Sequence, residues 1–100
     1  MRSKSGSKTI TRDPNWMGPA ISPGEILREE FLEPSGTGQM EAAKRLGMSL
    51  NRLNEIALGK RGISADTALR FARFFKTSPQ FWMRLQADWD LHRALQRAAS

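Results

Sequence analysis

The chain contains no cysteine and only one histidine, His92. Without cysteine there is no disulfide, no iron–sulfur cluster and no thiolate nucleophile. One imidazole leaves a zinc site short of ligands, and no nucleophile–base pair can be assembled around it, so the inventory speaks against an enzyme and against a metal or other cofactor. No apolar run approaches the roughly 18 residues that a membrane span requires. The first twenty residues also lack the apolar stretch of a secretory signal, and the expectation is a cytoplasmic protein with no membrane partner. β-branched residues are scarce and no segment alternates with period two, which removes the sheet classes and leaves an all-α fold.

What is present is positive charge. Sixteen Lys and Arg face ten Asp and Glu over 100 residues, giving a net charge of +6 and a pI near 10.8. That balance favours a polyanionic partner, with nucleic acid ahead of an anionic membrane. Residues 1–22 hold four cations (Arg2, Lys4, Lys8, Arg12) against the single anion Asp13. This Ser-, Lys- and Gly-rich stretch, punctuated by Pro14, Gly18 and Pro19, reads as a flexible basic arm over residues 1–21. Trp16 is the exception within it, an anchor for the folded part or for a partner. Residues 22–100 are long enough for one domain with a modest core.

From Ser22 the pattern predicts five helices. Ser22-Pro23-Gly24-Glu25 has the form of a capping box, opening a helix through Ile26, Leu27 and Phe31 that Pro34 and Gly36 should stop. A second helix runs from about Gln39 to Leu46, with Met40, Ala43 and Leu46 on its inner side and Gly47 behind it. The third, capped by Ser49, runs from about Leu50 to Leu58 and ends at Gly59. A fourth follows Ser64 to about Phe75 with Ala65, Ala68, Leu69, Ala72 and Phe75 inward, and a fifth runs from Ser78-Pro79 to about Arg97.

The third helix lies in the stretch Gly47–Ser64, "GMSLNRLNEIALGKRGIS". On a wheel of about 100° per residue, Leu53, Ile56 and Ala57 share one face with Leu50 at its margin. Asn51, Asn54 and Glu55 point the other way, with Arg52 on the flank. Only Gly47-Met48-Ser49 separates the second helix from the third, a turn of the length that joins two helices at a steep angle. The small Ala43 sits where their close approach demands a short side chain.

These residues resemble a helix-turn-helix protein of the phage-repressor (Cro/C1, or XRE) type, and within it the HigA-type antitoxins, also called VapI-like. The resemblance rests on "PGEIL" at 23–27, "EEFLEP" at 29–34, "AAKRLGMS" at 42–49 and "NRLNEI" at 51–56. It continues through "GKRGISADTALRFARFFKTSPQFWMRLQADWDL" at 59–91. It implies a non-catalytic, dimeric DNA-binding domain that docks on an operator near its own promoter. It also implies binding to a small basic ribonuclease toxin of the HigB/RelE-like kind, which cleaves mRNA on the ribosome. A stand-alone regulator of the same fold and an RNA-binding module are the alternatives.

On that resemblance the N-terminal half of the third helix enters the major groove. Asn51 toward adenine and Arg52 toward guanine are the expected base readers. Asn54 and Glu55 read bases further along or hold Arg52 in place. Leu50 and Leu58 break the expected polar face, and either touch thymine methyls or, for Leu50, complete the core margin. Gln39, Lys44, Ser49, Lys60 and Arg61 are the candidate phosphate contacts. The plainer alternatives are a solvated face for the two asparagines and dipole-complementing charge for Lys60 and Arg61.

Two further surfaces stand out. Trp82 and Trp89, seven residues apart, share a face of the last helix and are candidates for a dimer interface, unless both are intramolecular core. A two-fold dimer would set its recognition helices about 34 Å apart, one DNA turn. Glu25, Glu29 and Glu33 recur every four residues, with Glu30 beside them, as an acidic stripe on a basic protein. This stripe, or Trp16 with the arm, is the expected toxin-docking face, and a merely solvated stripe is the alternative.

Overall fold

Four of the five helices begin on a serine whose hydroxyl accepts the main-chain N–H three residues on. The pairs are Ser22 with Glu25 at 3.2 Å, Ser49 with Arg52 at 3.0 Å, Ser64 with Thr67 at 3.2 Å and Ser78 with Phe81 at 3.1 Å. Each satisfies a donor that the first turn leaves unpaired. The computed structural model describes residues 21–99, and within them every regular element is helical. We label the rod over residues 23–35 α1, and then α2 (Gln39–Leu46), α3 (Leu50–Ala57), α4 (Ala65–Phe75) and α5 (Pro79–Ala99).

Of the two stops expected for α1, Gly36 ends it and Pro34 does not. The rod is α-helical over Pro23–Ile26, π-helical over Leu27–Leu32 and α-helical again over Glu33–Ser35, closing on Gly36 at φ 72°. A proline ring collides with the carbonyl four residues back in a regular helix, and the wider π-turn just before Pro34 opens that space. The helix therefore ends at the glycine rather than at the proline.

The core is formed by Leu27 of α1, Ala43 and Leu46 of α2, Leu53 and Ile56 of α3, Ala68 and Phe71 of α4 and Trp82 of α5. Trp82 is its largest member and fully buried, with ring centroids 4.9 Å from Phe71 and 5.1 Å from Phe31. Its indole N–H donates to the Thr77 hydroxyl at 2.7 Å, so the polar tip is satisfied inside the protomer. This corrects the assignment of Trp82 to a dimer interface, since no part of the ring reaches the surface. The inward sets also shift. Met40 is 71% exposed, with Ala42 taking its inner place. Ala65 and Leu69 face outward while Phe71 and Thr67 fill the interior.

α1 meets the C-terminal end of α3 closely enough to require glycine. A β-carbon on Gly24 would stand 2.2 Å from the Ile56 carbonyl oxygen and 2.7 Å from that of Ala57. Arg28, one turn further, donates its guanidinium to the same Ala57 carbonyl. α3 is thus fixed at its C-terminal end by the backbone and one side chain of α1.

A candidate DNA-binding face

The other end of α3 is held by α4. The turn from α2 passes through Gly47 at φ 72°, a conformation that a β-carbon disfavours, and the main chain then reaches the Ser49 cap. Arg70 of α4 spans this turn. Its Nη1 donates to the carbonyls of Leu46 at 3.1 Å and Gly47 at 3.0 Å, and its Nε donates to Asp66 Oδ2 at 2.9 Å. The carbonyls at the end of α2 have no helical partner, and a guanidinium there satisfies them while complementing the negative end of the dipole.

Arg52 joins the same cluster. Its Nη2 donates to the hydroxyl of Thr67 at 2.7 Å and to Asp66 Oδ2 at 3.3 Å. Thr67 is 1% exposed, so the Arg52 side chain is drawn onto α4. Asp66 faces two guanidiniums, and its carboxyl is held below its ordinary value. The hydrogen bond from Arg70 is the main cause; desolvation opposes it and the charges of Arg70 and Arg52 reinforce it. Glu55, three residues further along the helix, is also engaged, accepting from Arg61 Nε at 2.9 Å and Nη2 at 2.8 Å.

What α3 presents outward is then Leu50, Asn51, Asn54 and Leu58, all exposed. Ser49 and Lys60 flank this face, also exposed, with Gln39 half-buried at the start of α2 and Lys44 on the outer side of α2. Of the expected site residues, the structure gathers Leu50, Asn51 and Asn54 with Ser49 on one face. It turns Arg52 onto α4 and pairs Arg61 with Glu55. Sequence reasoning missed Asp66, Thr67, Arg70 and Arg28. The Asp66–Arg70 spacing of four residues was a readable helical pair, whereas the reach of Arg70 to a turn 23 residues away had no local signal.

The remaining assignments fall elsewhere. Trp89 is half-buried, stacks on His92 with centroids 5.9 Å apart, and lines a groove of about 430 Å³ together with Gln86, Lys60 and Arg61. Glu29, Glu30 and Glu33 are exposed on α1 and Glu25 is half-buried. Trp16 and the rest of the arm lie outside the described residues. Among the described residues no three His, Asp or Glu side chains stand together where a metal could be held, and no helix is long and apolar enough to cross a membrane.

Two helices joined through a short glycine turn, with an outward amide face on the second, define a helix-turn-helix DNA-binding fold, a non-enzymatic class. The profile of the helix-turn-helix family matches residues 29–82. The chain is 51% identical over 78 residues to virulence-associated protein I of Dichelobacter nodosus, covering 78% of this chain and 72% of that protein. It is 32% identical over 71 residues to the Vibrio cholerae antitoxin HigA-1, covering 71% and 67%. The solved structure of the Pseudomonas aeruginosa antitoxin HigA with the higBA promoter matches with TM-score 0.78 and 43% identity, over 81% of this chain and 88% of that one. The chain belongs to the XRE-type helix-turn-helix family, in its HigA-type, VapI-like branch.

Proposed function

We propose that this chain is the antitoxin of a toxin–antitoxin pair. As a homodimer it binds an operator beside its own promoter, represses that operon, and neutralises a small basic ribonuclease by direct contact. The observation that carries the DNA half is the exposed, uncharged face of α3, whose opposite side is buried and whose two ends are fixed by α1 and α4. Its likeness to a HigA seen with promoter DNA supports that reading. In this arrangement Asn51, Asn54 and Leu50 meet base edges, while Gln39, Lys44, Ser49 and Lys60 meet phosphates. Arg61 reaches phosphate from its place beside Glu55, whose charge it offsets as the helix approaches DNA.

For the dimer, with Trp82 buried, the outer side of α5 is the surface that supports an interface. Met83, Ala87, Leu91 and Ala94 are exposed at spacings of four, four and three residues, an apolar seam that a second copy would cover. Trp89 borders it. For the toxin, the exposed carboxylates Glu29, Glu30 and Glu33 suit a basic enzyme and face away from any use in DNA binding.

The test is co-purification of this chain with the product of the neighbouring gene, followed by a salt-controlled titration on the DNA upstream. A stable complex that suppresses RNA cleavage, together with tight binding to that DNA, is the expected outcome. Operator binding without a toxin partner would make the chain a stand-alone regulator.

A further inference from the structure

α3 carries two formal charges, and both are committed inside the protomer. Arg52 is held by the hydroxyl of buried Thr67 at 2.7 Å and by Asp66 at 3.3 Å. Glu55 is held by two nitrogens of Arg61, at 2.8 and 2.9 Å. Freeing Arg52 for a base would exchange two charge-assisted hydrogen bonds for two others, with no net drive for release.

The remaining outward side chains form one stripe. At about 100° per residue, Leu50, Asn51, Asn54 and Leu58 fall within roughly 100° of arc. Leu50 and Leu58 are 42% and 55% exposed, and neither asparagine amide has a hydrogen-bond partner among the described residues. Amides and methyls are therefore what this face offers a base edge.

Each base asks for a different group in the major groove. Guanine O6 and N7 are matched by a guanidinium or ammonium, and the cytosine amino group by a carboxylate. Adenine N6 and N7 are matched by an asparagine amide, and the thymine C5 methyl by an apolar side chain. With its cation and its carboxylate both engaged elsewhere, α3 retains only the groups suited to adenine and thymine.

We propose that the base pairs lying against the N-terminal half of α3 are A·T, with Asn51 bidentate to an adenine and Leu50 against a thymine methyl. This rests on the operator-binding reading above and specifies which base pairs that face selects. It also gives the exposed part of Leu50 a use, since apolar surface gains nothing in water and is covered in the complex.

The experiment starts from a randomised duplex pool enriched on the full chain at fixed salt. The enriched duplex is then remade with uracil for single thymines, which removes only the methyl, and with 7-deazaadenine for single adenines, which removes only N7. The expected half-site has adjacent A·T pairs under α3. One thymine-to-uracil change there lowers affinity about fourfold for the wild-type chain, the value of one apolar carbon, and has no effect on Leu50→Ala. One 7-deazaadenine lowers affinity about tenfold for the wild type and has no effect on Asn51→Ala. Because these changes are made in the DNA, protein folding does not enter the comparison. A half-site centred on G·C pairs, with affinity lost in Arg52→Ala and kept in Asn51→Ala, would overturn the inference while leaving DNA binding intact. No enriched sequence at all would overturn it together with the operator reading.

Discussion

Arg70 reaches from the middle of α4 to the carbonyl of Gly47, 23 residues earlier, and closes on it at 3.0 Å. That contact fixes the turn between the two helices of the DNA-binding motif from outside the motif. Arg70→Ala should lower stability by about 1–3 kcal/mol, as for a hydrogen bond to a charged group. It should also weaken operator binding more than non-specific binding, because the turn sets the docking angle of α3. Urea denaturation and paired DNA titrations check both, and equal losses on all DNA would leave Arg70 a purely structural residue.

Asp66 links Arg70 to Arg52, and its lowered pKa gives the link a pH signature. A carboxyl whose folded value lies below its unfolded value of 3.8 contributes stability that is fully present above 3.8. The contribution disappears as pH falls through the lower, folded value. Stability measured against pH should therefore keep falling below 3.8 in the wild type, and that lowest portion of the fall should be missing in Asp66→Asn. Identical acid limbs for the two proteins would show that the carboxylate does not couple to folding.

Gly24 and Gly38 should respond in opposite ways to alanine. A β-carbon at Gly24 would overlap two main-chain carbonyls of α3, whereas one at Gly38 meets nothing within 4 Å. Gly24→Ala is expected to cost about 1–3 kcal/mol or more as α1 is pushed off α3. Gly38→Ala should stay within about 1 kcal/mol, the scale of a lost glycine cap. Thermal melts of the two variants decide it.

Trp82 and Leu91 separate the inner from the outer side of α5. Trp82→Ala should lose about 3–5 kcal/mol by opening a cavity among Phe31, Phe71 and Phe75. Leu91→Asp, on the outer seam of α5, should leave the melt of the protomer nearly unchanged and shift the sedimenting species from dimer to monomer. A dimer that survives Leu91→Asp would place the interface elsewhere.

Lys60 has no acidic partner among the described ion pairs, unlike Arg61. Its substitution by alanine should reduce the salt dependence of operator binding by roughly one unit of slope without altering sequence preference. An unchanged slope would remove it from the phosphate contacts.

The helices themselves were legible because their boundaries are written locally. Serine caps, terminal glycines and the periodicity of α3 all act within a few residues, and Leu50–Ala57 emerges nearly as its sequence suggests. What stayed hidden depends on partners distant in the chain. Whether Arg52 faces a groove or α4 is decided by a threonine 15 residues later, and nothing near Arg52 announces it. The same holds for Trp82, whose aromatic neighbours come from α1 and α4 as well as α5. Apolar stripes misled where a helix has two: Leu69 lies on a helical face with other apolar residues, yet Phe71 occupies the interior. Pro34 marked a helix end only for a helix of constant pitch.

The anchors at both ends of α3 are Gly24 and Arg28 on one side and Arg52 with Thr67 on the other. The two asparagine amides on the open side have no hydrogen-bond partner among the described residues. In the proposed complex, folding and recognition are thus encoded at different positions of one short helix and its cap. In that complex, a population of such chains would change its operator by single substitutions on the open face without passing through unfolded intermediates. Duplicated copies in one genome are free to diverge into systems that ignore one another's DNA.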